Sequence, residues 1–320
     1  MTAAAALDAV LDRTVAPGYS RFGFAARRRY WPDDDPAPGA ILGRTALVTG
    51  ANSGIGKAIT AGLAELGATV LMTVRDRERG EAARRDVLAQ LPDADLVVEQ
   101  CDVADLAAVR RFADSLIDRH VRLDLAIHNA GVLPAQRTEG PDGHELSLTT
   151  HVLGPILLTE LLLPALAASP DPRVVLMSSG GMYAQPLPDG DVEYHSGEYR
   201  GAAAYARSKR VQVALTPLLA QRWAARGVTV AAMHPGWADT PGLADALPGF
   251  RRLTRPLLRT AEQAADTAVW LSATEPTPPS GLFWHDRRPR PTHYRPGTRY
   301  DDAALHRVWR QCAVAAGLGR

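Results

Sequence analysis

Cysteine is almost missing from this chain. Cys101 and Cys312 are the two present, too few for a disulfide framework and without metal-ligand spacing, which fits a reducing cytoplasm. An excess of one charge is missing too: 36 Lys and Arg face 35 Asp and Glu, a net charge of +1. That leaves no electrostatic case for nucleic acid or an anionic membrane as partner. No run approaches the roughly 20 apolar residues of a membrane span. Met1 to Val10 lacks the basic region of a signal peptide. His285, His293 and His306 are not spaced as metal ligands and read as solvated surface histidines, so no metal is expected. What remains is a chain of 320 residues, 46% hydrophobic and 22% charged, sufficient for one large α/β domain or two small ones.

Lysine is as scarce as cysteine. Lys57 and Lys209 stand in an arginine-rich background, and Lys209 follows Tyr205 by four residues, which a helix sets on one face. A phenol titrates near 10 in water, so a tyrosine acting as acid or base near neutrality needs a cation beside it. A compact ammonium serves that role better than a guanidinium fork. Taken alone, the spacing is equally that of a chance surface helix.

The chain divides into three parts. Residues 1–43 read as an extension in which Tyr19 to Trp31 interleaves aromatics with arginines, ending in the linker Pro32 to Gly39. That mix packs along the main domain, or else touches a membrane surface or a partner. From 44 to 285, apolar strands alternate with amphipathic helices. Strands are predicted at Thr45–Thr49, Ala68–Val74, Leu96–Cys101, Leu123–Ile127, Arg173–Met177, Val228–Met233 and Leu282–Trp284. This is an α/β pattern, a single doubly wound domain with a parallel seven-stranded sheet. Residues 286–320 read as a wrapped tail with a final amphipathic helix from Asp301 to Ala316.

After the first strand comes Gly50-Ala-Asn52-Ser53-Gly54-Ile55-Gly56, opening a helix. Glycines there let backbone amides approach a pyrophosphate at a helix N-terminus, the context of a dinucleotide site. After the second strand stands Arg75, with Asp76 next. A basic residue at this place suits a 2′-phosphate and so NADP(H) rather than NAD(H); alternatively Arg75 only pairs with Asp76 or another surface acid.

Thr49-Gly-x-x-x-Gly-Ile-Gly56, Asn129-Ala130-Gly131, Ser179, Tyr205-x-x-x-Lys209 and Pro235-Gly236 follow in that order. With them the chain resembles the short-chain dehydrogenase/reductases, closest to the family-member-twelve-like, retinol-dehydrogenase-like group. The resemblance implies a Rossmann fold and gives each position a role. Asp102 and Val103 contact adenine, and Asn129, Ala130 and Gly131 flank the adenosine. Tyr205 is the acid/base, Lys209 binds the nicotinamide ribose and lowers the Tyr205 pKa, and Ser179 bonds the substrate carbonyl. Pro235, Gly236, Trp237 and Thr240 seat the nicotinamide. Where that family has an asparagine in a proton relay running through an ordered water to the lysine, this chain has His151. His128 is a second, milder departure.

Position 155 is proline, so the His151 carbonyl loses its α-helical partner. The sequence therefore predicts a free carbonyl holding a water; otherwise it is a kink facing nothing useful. Residues 241–259 read as a lid, with Leu243, Leu247 and Phe250 as an apolar wall and Met182 and Tyr183 as further pocket residues. The expected activity is NADP(H)-dependent interconversion of an alcohol and a ketone or aldehyde, on an apolar small molecule, in a protein able to pair as a homodimer unless its tail caps the pairing helices. The alternatives are a catalytically weak dinucleotide-binding regulator and a peripheral membrane protein.

Overall fold

The computed structural model describes residues 3–246 and 248–319. Seven parallel strands form the sheet: β1 (Thr45–Thr49), β2 (Thr69–Val74), β3 (Leu96–Gln100), β4 (Leu125–His128), β5 (Arg173–Met177), β6 (Thr229–Met233) and β7 (Leu282–His285). Their order is β3-β2-β1-β4-β5-β6-β7, so the winding reverses between β1 and β4. Successive side chains of a strand feed opposite faces. Leu47, Val174 and Leu176 enter one core, under the helices Leu106–Arg119, Gly154–Ala167 and Gly201–Trp223. Ala46, Val48, Val175 and Met177 enter the other, under Gly54–Glu65 and Ala261–Ala273. A sheet covered on both faces explains why its strands read as apolar runs without polar alternation.

An eighth strand, β8 (Arg288–Pro289), pairs antiparallel with β7, where the sequence predicted seven strands in all. The connecting turn puts Asp286 at φ 50° and Arg287 at φ 58°. Two-residue left-handed turns favour Asn, Asp or Gly followed by Gly; Asp286 fits the first place, but Arg287 stands where glycine is usual and blunts the signal. Tertiary contacts hold the turn: Asp286 is buried between Arg27 (2.8 Å) and Arg259 (2.6 Å), and Arg287 pairs with Asp266 at 2.7 Å. His285 is likewise core rather than solvated surface. Its ring stacks on His234 at 3.7 Å, and Nδ1 lies 3.0 Å from the His234 carbonyl. Burial pushes its pKa down to about 3, against the pull of Asp286.

The extension is built into this region. Helices Ala3–Arg13, Val15–Tyr19 and Arg21–Arg28 bury Tyr19, Phe24 and Arg27 against the end of β7 and the loop after β6. Arg27 bonds Asp8 at 2.8 Å as well as Asp286, and Arg290 bonds Asp8 at 2.8 Å. At the other terminus, helix Asp302–Ala315 sets Val308 and Cys312 into the same core as Leu162 and Leu215. It rests on helix Gly201–Trp223 and on the Thr149–Leu153 segment, parts of the two long helices, about 146–168 and 205–225, expected to pair.

Residues Leu146–Ala167 are long and apolar enough to cross a membrane, which the sequence analysis did not anticipate, but the stretch is 78% buried as a core helix. The predicted interruption at Gly154-Pro155 takes the form of a π-helical segment, Thr149–Leu153, in which the Gly154 amide reaches back to the Thr149 carbonyl.

Burial opposes the ionisation of Asp286, but His285, Arg259 and Arg27 outweigh it and hold the carboxyl well below the ordinary range. Asp286→Asn is expected to lose about 3–5 kcal/mol in urea unfolding, because buried Arg259 loses its carboxylate partner and buried Arg27 keeps only Asp8. A depressed folded pKa contributes stability above the unfolded value of about 4 and loses it as pH falls further. The wild type should therefore destabilise more steeply below about pH 4 than the variant.

Candidate functional site

At the carboxyl ends of the strands, where the winding reverses, lies a cavity of about 680 Å³. Asn129 closes its inner wall. Its Nδ2 donates to the Thr49 and Gly50 carbonyls at 3.0 and 3.3 Å, while the amides of Asn129 and Ala130 both donate to Thr49 Oγ1 at 3.0 Å. Gly56 lies so close that a Cβ would come within 2.2 Å of the Gly50 carbonyl and 2.4 Å of Asn129 Nδ2. Only glycine fits there. Ser53 occupies the N-cap of helix Gly54–Glu65 without using its side chain as a cap, so the first-turn amides are left for an anion.

The sequence-derived cofactor residues converge on this cavity with one exception: Lys209, expected to bind the nicotinamide ribose, does not line it. Gly50, Asn52, Ser53, Gly54, Ile55 and Gly56 line one wall; Arg75, Asp102, Val103, Asn129, Ala130 and Gly131 line the next; and Pro235, Gly236, Trp237 and Thr240 line the far end with Ser179 and Tyr205. Asp76 caps its own helix through the Arg79 amide and pairs with the Arg79 side chain at 3.8 Å. Arg75 makes no ion pair among the described residues. Arg79, which the sequence reading passed over, stands at the same rim. A closely apposed glycine turn, free helix amides and a basic rim fit a dinucleotide.

The far end is shaped by the extension. The Trp237 amide donates to the Tyr19 carbonyl at 2.9 Å, and Arg259 Nε donates to the same oxygen at 3.0 Å. No signal in the sequence pointed from residue 19 to residue 237. Phe250 stands edge-on to Trp237 at 5.2 Å and roofs the cavity with Gly242 and Ala246. Leu247 lies outside the described residues. Met182 is buried in the core and Tyr183 donates its hydroxyl to the Pro291 carbonyl at 2.6 Å; the cavity is lined by neither.

Ser179 follows β5 and accepts the Gly181 amide at 3.2 Å. Tyr205 lies in the first turns of helix Gly201–Trp223. Burial raises its pKa, and a hydrogen bond with Ser179 lowers it in part. Lys209, one turn on, is buried behind Tyr205 with Nζ 5.7 Å from the phenol ring centre, and burial pushes its pKa down to about 7.

His151 does not supply what its position implied. Its Nε2 accepts the Val132 amide at 3.1 Å, which assigns the proton to Nδ1, and Nδ1 donates to Ser208 Oγ at 2.7 Å. Both ring nitrogens are thus committed to structure. Burial, with the charge of Lys209 second, holds the ring neutral well below its ordinary pKa. The ring stands edge-on to Tyr205 at 5.2 Å. The predicted free carbonyl is also taken, because Gln212 Nε2 donates to it at 3.1 Å. His128 has a structural role of its own, its Nε2 lying 2.8 Å from Thr159 Oγ1 in the core.

The family model for short chain dehydrogenase matches residues 44–248. The chain belongs to the short-chain dehydrogenase family. It is an oxidoreductase of small molecules with a nicotinamide dinucleotide cofactor. Among curated members, it is 38% identical to human dehydrogenase/reductase SDR family member 12 over 257 residues, 79% of this chain and 80% of that one. It is 33% identical to human retinol dehydrogenase 13 over 295 residues, covering 88% and 87%. A solved structure, that of a putative NAD(P)-dependent gluconate 5-dehydrogenase from Beutenbergia cavernae with NADP bound at low occupancy, shares 27% identity at a TM-score of 0.62, covering 77% of this chain and 96% of that one.

Gly236 has φ 77°, and a Cβ there would meet Arg259 Nε at 2.5 Å and the Tyr19 carbonyl at 2.7 Å. Gly236→Ala is therefore expected to strain the loop by about 1–3 kcal/mol and to weaken dinucleotide binding about tenfold or more, as read by fluorescence titration with NADPH.

Proposed function

We propose that this protein is an NADP(H)-dependent oxidoreductase that interconverts an alcohol and a ketone or aldehyde. The observation that carries the reading is the meeting of Ser179 and Tyr205, with Lys209 buried behind the tyrosine, at one end of a cavity whose other end carries Arg75. The glycine turn and the helix amides would hold the pyrophosphate, and the Arg75 guanidinium, with Arg79 beside it, would hold a 2′-phosphate. Pro235, Gly236, Trp237 and Thr240 would seat the nicotinamide, which when bound supplies or accepts the hydride.

Ser179 Oγ holds the substrate oxygen. Tyr205 takes the hydroxyl proton in oxidation and returns it in reduction. Lys209 keeps that phenol within reach of neutral pH. Leu133, Leu146, Trp237 and Phe250 around the mouth support an apolar substrate, as does a relative named for retinol. The catalytic unit is residues 44–285, with the two terminal segments as additions to it, and the two free, buried cysteines favour a cytoplasmic site of action. Because helix Asp302–Ala315 packs on helix Gly201–Trp223 and the Thr149–Leu153 segment, we propose a monomer in place of the expected homodimer. Sedimentation velocity should give a single species of about 34 kDa.

Tyr205→Phe should lose several orders of magnitude in turnover of carbonyl substrates while NADPH affinity stays within about twofold. Arg75→Ala should raise KM for NADPH about tenfold or more and leave KM for NADH unchanged, since removal of a bidentate charge contact costs about 1.5–3 kcal/mol.

A further inference from the structure

Lys209 is buried without a carboxylate partner among the described residues. Its Nζ donates to the Met177 carbonyl at 2.6 Å and to Gln212 Oε1 at 3.5 Å. The other end of that amide, Gln212 Nε2, donates to the His151 carbonyl at 3.1 Å, the group that Pro155 deprives of its helical partner. The chemistry fixes the orientation of the amide. Reversed, it would set an NH₂ against an ammonium and an oxygen against a carbonyl.

We propose that Gln212 is the residue that positions Lys209, its side-chain amide standing where an ordered water would otherwise link the lysine to the His151 carbonyl. This rests on the reading of Lys209 as part of the site above. An amide tethered three residues along the same helix fixes the ammonium without ordering solvent. It is also a poor proton conductor, because passing a proton would require the imidic acid form. The His151 ring offers no detour, since Val132 and Ser208 occupy its nitrogens. Protons of the Tyr205–Lys209 pair accordingly exchange through the cavity and not through the helix behind it.

The groups facing Lys209 are Tyr205 on its own helix, neutral His151 across the helix pair, and the uncharged Met177 carbonyl at the end of β5. With no opposing charge to dominate, loss of a single dipole should be visible in its titration.

The chain has two lysines, so ¹⁵N-lysine labelling gives two side-chain signals. In the free protein Lys209 should titrate near 7, and Gln212→Leu should move it down by about one unit while Lys57 stays put. In steady-state assays with NADPH, Gln212→Leu should lose roughly tenfold in kcat with KM little changed and shift the kcat–pH profile by the same unit. Gln212→Ala, which leaves room for a water, should retain more activity than Gln212→Leu although its cavity makes it less stable. It also stands in for Gln212→Leu if that variant does not fold, because its water should hold the Lys209 titration near the wild-type value and its kcat close to wild type. An unmoved Lys209 titration in Gln212→Leu, an Ala variant shifted down by a unit, or activities that simply follow stability, would overturn the proposal. A wild type with no hydride transfer on any carbonyl would instead overturn the functional reading, and the lysine titration would still judge Gln212.

Discussion

A single lysine, buried without a counter-ion among the described residues, is the constraint around which this end of the molecule is arranged. Burial alone pushes Lys209 down to about 7, so its charge survives only where dipoles face it. One is the Met177 carbonyl, at the point where β5 gives way to the Ser178-Ser179 turn. The other is the Gln212 amide, held in turn by the carbonyl that Pro155 releases. The π-helical segment Thr149–Leu153, the proline, the histidine ring and the Tyr205 helix are therefore parts of one arrangement. Their common result is that the carbonyl Pro155 leaves without a helical partner is satisfied by Gln212.

The site is bracketed by two different kinds of packing. On the adenosine side it is the sheet itself, closed by Asn129 across β1 and β4. On the nicotinamide side it is the N-terminal extension, whose Tyr19 carbonyl receives both Trp237 and Arg259. The buried Arg27–Asp286–Arg259 cluster locks that extension to the β7–β8 turn. It favours the left-handed conformation of residues 286 and 287 by fixing their side chains on opposite neighbours. The aromatic-basic stretch from Tyr19 to Trp31 contributes a structural wall here, with Arg287 over the Trp31 ring at 4.2 Å.

Much of this was legible from the sequence, and the limits have physical causes. The parallel order of strands followed from apolar runs between amphipathic helices, and the glycine turn followed from its place between strand and helix. Convergence of residues 50, 52–56, 75, 102, 129–131, 179 and 235–238 on one cavity was predictable because each stands just beyond the carboxyl end of a strand, and Tyr205 joins them from the first turns of a helix. Interactions between distant segments were not. The β8 turn has Arg287 in the place where glycine is usual, His285 became core through a stack with His234, and Tyr19 reaches residue 237 across most of the chain. Gln212 was closer to hand. It lies three residues after Lys209 on one helix face, and a carbonyl freed by proline calls for a donor. Asking which donor, in place of which water, would have found it.

The central claim is that a hydride and a proton pass at Ser179, Tyr205 and Lys209. Its most direct measurement is the fate of deuterium: incubate the protein with NADPH deuterated at the transferring position and a panel of apolar ketones and aldehydes, and read the products by mass spectrometry. The account predicts one deuterium on the carbinol carbon of at least one product, at one face, with no transfer in the absence of protein. Unlabelled products throughout, or equal labelling by a Tyr205→Phe variant, would contradict it.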